Sequence, residues 1–210
     1  MSKATRLKLS LIFLLLFCFL ILLIKLQTPI VLKIDTLAQT LSGCFLNPTT
    51  FKIIRSFTNL ASQTSTTILG LCLAGIVWYR TSFRRAILVF ALLTGLNLIS
   101  LKLKYLIMRP RPINKLYEIG GYSFPSGHTF AAASLALLSS YFLFKELKNQ
   151  TLRFSLTILG WGFALLIAFS RIFLRVHFFT DTLGSFLLLG FLWNLLLWLI
   201  PQNFIHNVKH

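Results

Sequence analysis

The sequence predicts an all-α protein: a six-transmembrane-helix bundle with its chemistry-bearing residues at the outer-face helix ends. Of its 210 residues, 56% are hydrophobic and only 12% charged, against roughly a quarter charged in an ordinary soluble domain. Apolar runs of about 18 to 20 residues recur along the chain, long enough to cross a bilayer as helices. None of these runs alternates with period two, as the strands of a membrane barrel would.

The first run, residues 7–26, follows Lys3, Arg6 and Lys8 and opens like a signal peptide. Its exit reads "IKLQTPIV", with no small-x-small cleavage pattern, so it is expected to remain as the first span. A long outer stretch, 27–62, comes next. Within it "LAQTLSGCFL" and "FKIIRSFTNLA" are expected as short helices lying at the interface. The second span, 63–79, is the weakest because it begins polar, "SQTSTT". Spans at 84–106, 128–144, 154–170 and 181–200 complete the set. Three units are expected: 1–62, the first helix and outer segment; 63–200, the functional bundle; and 201–210, a short cytoplasmic tail.

The formal net charge is +17, from 21 Lys and Arg against 4 Asp and Glu. In a soluble protein this would suggest nucleic acid. Here the basic residues sit mostly between apolar runs, so anionic lipid headgroups are the nearer partner and no nucleic acid is expected. Cys18, Cys44 and Cys72 form no CxxC, which gives neither a disulfide framework nor a thiolate metal site. Lys3, Arg6 and Lys8, then Arg80, Arg84 and Arg85, then Lys145, Lys148 and Arg153 fall on one side of six alternating spans. That side is read as the cytoplasm, with both termini in it. The opposite side nevertheless carries 11 of the 21 basic residues, Lys102, Lys104, Arg109, Arg111 and Arg171 among them. Charge counting alone is therefore silent, and the outer excess needs another cause. Anion binding would supply one.

Unusual residues fall at four span ends, and all four ends share the outer surface. Lys102 and Arg109 close the third span, Ser126, Gly127 and His128 open the fourth, Ser170 and Arg171 close the fifth, and His177 and Asp181 open the sixth. Ionisable residues at membrane depth are costly and usually functional. Lys102 and Arg109 are about two helical turns apart and share a face, as a snorkelling pair or as an anion clamp. Ser126 begins a helix, as an N-cap or as a ligand for an anion at that positive helix end. Gly127 lets a ligand approach the backbone. His177 and Asp181, four apart, face one way, so the carboxylate can fix the imidazole tautomer. The four histidines (His128, His177, His206, His210) and four acids (Asp35, Glu118, Glu146, Asp181) form no HxxxH or HExxH, and a basic clamp would repel a cation. No metal or other cofactor is expected.

The pattern resembles the type 2 phosphatidic acid phosphatase (PAP2) superfamily of membrane lipid phosphatases. That family carries K-x6-RP, PSGH and SR-x5-H-x3-D. The chain offers "KLKYLIMRP" from Lys102 to Pro110, "PSGH" from Pro125 to His128 and "SRIFLRVHFFTD" from Ser170 to Asp181, in the same order and spacing. The resemblance covers about residues 60–200. It implies His177 as a nucleophile forming phosphohistidine, Asp181 as its orienting partner and His128 as general acid. It implies Lys102, Arg109 and Arg171 as the phosphate clamp, Ser126 and the Gly127 N–H as added donors, and Pro110, Pro125 and Ser170 as motif support. The family is metal-independent.

A lipid phosphatase is therefore expected, in the cell membrane with its site facing outward. Its partners would be a lipid phosphate and the surrounding bilayer, and the oligomeric state is open. Undecaprenyl diphosphate is the leading substrate expectation, with phosphatidylglycerophosphate or phosphatidate as alternatives. A lipid phosphotransferase would use the same residues, and a catalytically silent membrane protein would be expected to have lost one. Vanadium haloperoxidases share the family, but they are soluble.

Overall fold

Polar side chains cap the starts of five helices, and Gln27, Met108 and Arg175, with left-handed backbone, follow the ends of three. Ser2, Asn47, Ser62, Ser82 and Asn149 each accept a hydrogen bond from a first-turn backbone N–H, which satisfies a donor that the helix itself leaves free. The computed structural model describes residues 1–200, in which every regular element is helical. The order is α1 (Lys3–Lys25), α2 (Pro29–Gly43), α3 (Pro48–Thr58), α4 (Gln63–Arg80), α5 (Phe83–Ile107), α6 (Gly127–Phe142), α7 (Gln150–Phe173) and α8 (Phe179–Leu199). His206, His210 and the expected 201–210 tail lie outside the described residues.

Among the described residues, five helices are long and apolar enough to cross a membrane: α1, α5, α6 with the turn after it, α7 and α8. The weakest expected span, α4, meets the same test only together with α3, across a 50° bend. Both short helices expected in 27–62 form, as α2 and α3. The 154–170 expectation was short at both ends, because α7 takes in Arg153 and Arg171. Basic side chains in a terminal turn leave the helix intact, since they interrupt the apolar run but not the backbone ladder.

The bundle is apolar outside as well as inside. Leu15, Phe19, Leu71, Ile87, Leu159 and Leu165 all point outward, as a bilayer-facing surface requires. α6 is the central helix, packed against α4, α5, α7 and α8. Its run Ala131, Ala132, Ala133 and Ser134 is buried. Small side chains allow helix axes to approach closely, which is how membrane helices gain dispersion contacts without a hydrophobic drive. α1 packs along α8, while α2 and α3 cover the α7 and α8 ends.

One packing contact sets the height of the site. Phe124, just before Pro125, is fully buried and stacks on Phe17 of α1 at 5.7 Å. A Cβ at Gly184 of α8 would overlap its ring. Gly184→Ala is therefore expected to cost about 1–3 kcal/mol by overpacking, read as a lowered Tm in detergent, with the Pro125–His128 turn displaced.

Candidate active site

The C-terminal ends of α5 and α7 and the N-terminal ends of α4, α6 and α8 meet at one end of the bundle, where they surround a cavity of about 350 Å³. Lys104, Arg111, Gly127, His128, Arg171 and His177 all line it. The gathering of chemistry at one end, expected from the spacing of the spans, is present.

The connection between α5 and α6 shapes one wall. α5 stops at Met108, whose φ of 54° is left-handed, and the prolines at 110 and 112 prevent further helix. Beyond it the chain has no regular structure, and Arg109 and Arg111 take different partners. Arg111 turns to the cavity. Its Nε donates to the carbonyls of Gly120 and Gly121 at 3.2 and 3.1 Å, and its Nη1 to the Val176 carbonyl at 2.7 Å. The same Nη1 lies 3.2 Å from His177 Nε2. Lys104 donates to the Tyr122 carbonyl at 3.0 Å and has two further N–H groups.

Arg109 turns away, into a buried network. It donates to Asp181 Oδ1 at 2.6 Å and Asp35 Oδ2 at 2.7 Å, and its guanidinium stacks 4.1 Å above the Phe178 ring. Lys102 is exposed and absent from the cavity wall. The expected clamp of Lys102 and Arg109 is thus corrected: Lys104 and Arg111 line the cavity instead. Ser126 needs a second correction. It is fully buried and does not line the cavity. Its hydroxyl accepts from Thr129 Oγ1, its N–H donates to the Asp181 carbonyl, and its own carbonyl accepts from Ser185.

Gly127 opens α6 and has clear space where a side chain would stand. Its N–H is at the positive end of a 16-residue helix. His128 follows on the cavity wall. Pro125 is buried beneath this turn, whereas Pro110 is exposed and its carbonyl accepts from Ser123.

Arg171 is fully buried; its Nη1 donates to Thr58 Oγ1 at 3.1 Å, and the Tyr117 side chain stands close to the guanidinium. Its Nε and Nη2 have no hydrogen-bond partner. Buried guanidinium donors left open are expensive unless an anion completes them. Ser170 Oγ donates to the Ile167 carbonyl at 2.6 Å and shares a hydrogen bond with Thr58 Oγ1 at 2.9 Å, so it supports Arg171 through Thr58 and is absent from the cavity wall.

His177 Nδ1 lies 3.3 Å from Asp181 Oδ2, which also accepts from the Phe178 N–H at 2.9 Å. The carboxylate holds the proton on Nδ1 and leaves the Nε2 lone pair toward Arg111 and the cavity. Burial, with Lys104, Arg171 and Arg111 close by, pushes the imidazole well below its usual pKa. The ring is therefore neutral and nucleophilic at rest.

Sequence reasoning missed Lys104, Arg111, Asp35, Thr58 and Thr180. Asp35 comes from α2 and is 3% exposed. Besides Arg109, it accepts from the Thr180 N–H at 2.9 Å and from the Thr180 hydroxyl. Asp35→Ala takes one carboxylate from a buried arginine, and breaking such a pair costs about 3 kcal/mol or more. A lower Tm is expected even in the absence of substrate.

The sequence profile described as PAP2 superfamily matches residues 84–206. The chain is 30% identical to phosphatidylglycerophosphatase B of Bacillus subtilis over 197 residues, which is 91% of this chain and 93% of that one. It also resembles a crystal structure described as the first transmembrane PAP2 type phosphatidylglycerolphosphate phosphatase from Bacillus subtilis. The TM-score is 0.80 at 26% identity, covering 96% of this chain and 98% of that chain. The profile, the relative and the solved structure point to one family, and the chain belongs to the PAP2 superfamily, as a multi-pass membrane lipid phosphatase.

Proposed function

We propose that the protein removes the terminal phosphate of phosphatidylglycerophosphate through a phosphohistidine at His177. The observation that carries this reading is the open pair of Arg171 donors beside a neutral His177 whose Nδ1 is held by Asp181. Phosphoryl transfer needs in-line placement and charge neutralisation. Arg171, Arg111, Lys104 and the Gly127 N–H supply the charge. Nε2 attacks phosphorus, the P–O bond to the glycerol breaks, and His128 gives its proton to the departing oxygen. Asp181 stabilises the cationic ring. Water then attacks the N–P bond, His128 takes its proton, and inorganic phosphate leaves.

The names of the relatives support the choice of lipid. Undecaprenyl diphosphate is the second reading. Its headgroup, like that of phosphatidylglycerophosphate, carries a second phosphate, directly linked in the one and across a glycerol in the other, so three cations suit both.

The proposed orientation puts the site outside and both termini in the cytoplasm. Lys104, Arg111 and Arg171 face the cavity, and Arg109 is paired with carboxylates. Once these four are assigned to the site, the remaining basic residues favour the opposite end as cytoplasmic.

The test is phosphate release by the purified protein in detergent with EDTA, on the two lipids separately. Higher kcat/KM on phosphatidylglycerophosphate supports the first reading. Higher kcat/KM on undecaprenyl diphosphate replaces it with the second.

A further inference from the structure

The cavity extends beyond the reacting groups, down between α4 and α5. On α5, Lys104, Ser100, Asn97 and Thr94 recur at helical spacing and all line it. From Lys104 to Thr94 the rise is about 15 Å, half the hydrocarbon thickness of a bilayer. Gln63 and Thr66 face the same space from α4. A polar wall at this depth is costly unless it meets a polar occupant.

Two side chains on the wall are open for a ligand. Ser100 is 2% exposed, and its hydroxyl has no hydrogen-bond partner. Asn97, also on the wall, donates one Nδ2 hydrogen to the Leu93 carbonyl at 2.8 Å, which leaves its second N–H and its Oδ1 for a ligand. Open donors and acceptors therefore follow the reacting centre along the helix. Lower down, a Cβ at Gly70 would overlap Leu93, so α4 and α5 close together there.

We propose that Asn97 and Ser100 form a subsite for a hydroxylated, phosphodiester-linked headgroup. It rests on the reading of phosphatidylglycerophosphate as substrate. With the terminal phosphate among Arg171, Arg111 and Lys104, the glycerol hydroxyl comes next along the headgroup and meets Ser100 Oγ, one turn from Lys104. Asn97, a further turn on, donates its second Nδ2 hydrogen to an oxygen of the phosphodiester. A polyprenyl diphosphate places a hydrocarbon chain directly after its second phosphate, so it offers no hydroxyl to Ser100. The wall thus selects glycerol-based headgroups over isoprenoid ones.

The test compares wild type, Ser100→Ala and Asn97→Leu as purified full-length proteins, on phosphatidylglycerophosphate and on undecaprenyl diphosphate. Each lost hydrogen bond to the headgroup is expected to lower kcat/KM for phosphatidylglycerophosphate about tenfold. The ratio of kcat/KM between the two lipids should fall by a similar factor. Ser100→Ala is near-isosteric, so it keeps the test open should Asn97→Leu fail to fold. Equal losses on both lipids, or no loss on either, would overturn the subsite while leaving the substrate reading standing. A wild type that ignores phosphatidylglycerophosphate removes the substrate reading, and the subsite with it.

Discussion

His177→Ala should reduce phosphate release to background, a loss of about four orders of magnitude or more, as removal of a nucleophile does elsewhere. The physical reason is specific to the position. His177 is 1% exposed and its Nδ1 faces a carboxylate that is itself fully buried, so no other group can take up its place or its tautomer. Rapid quench with lipid labelled in the terminal phosphate should show an acid-labile phosphoprotein in the wild type and none in the variant. Asp181→Asn should also turn over slowly, with the fold retained, because an amide can present its NH2 where the carboxylate fixes the Nδ1 proton. If His177→Ala keeps near-normal activity in pure protein, covalent catalysis at this residue is wrong.

Arg111→Ala and Lys104→Ala should each lower kcat by about a hundredfold to a thousandfold, the cost of removing one preorganised donor from a developing anion. Lys102→Ala should leave kcat within about a factor of two. The contrast separates two ways of reading one segment. Lys102 and Lys104 are two residues apart on a helix, about 200° around its axis, so one faces the cavity and the other does not. Arg109→Ala is expected to behave differently again. It strips Asp35 and Asp181 of their shared partner, and its loss should appear in stability as well as in rate. Should Lys102→Ala prove as damaging as Lys104→Ala, the cavity assignment of Lys104 fails.

That segment shows where the sequence was legible and where it was not. "KLKYLIMRPRP" satisfies K-x6-RP twice, from Lys102 to Arg109 and from Lys104 to Arg111. Composition and spacing are identical in the two frames. Only the pitch of α5 and the left-handed Met108 decide which frame faces inward, and both depend on packing. PSGH and SR-x5-H-x3-D each occur once, so His128, Arg171, His177 and Asp181 have no competing frame. Ser126 was misplaced because an N-cap serine and an anion-binding serine look the same in sequence. The helices themselves were plain from long apolar runs, since a membrane-facing surface writes its hydrophobicity on every turn. Asp35 could not be found this way. It is one carboxylate in a stretch with no motif, and its meaning arises only where α2 folds back over the start of α8.

Its position bears on how the chain can be recombined. The region that carries the family's motifs begins well after Asp35, so a transplant of that region alone would import a buried arginine without one of its two acids. Chimeras that exchange the amino-terminal third between relatives must carry the acid at 35 and the arginine at 109 as one inherited unit. Drift at either site is constrained by the other, across more than seventy residues of intervening chain.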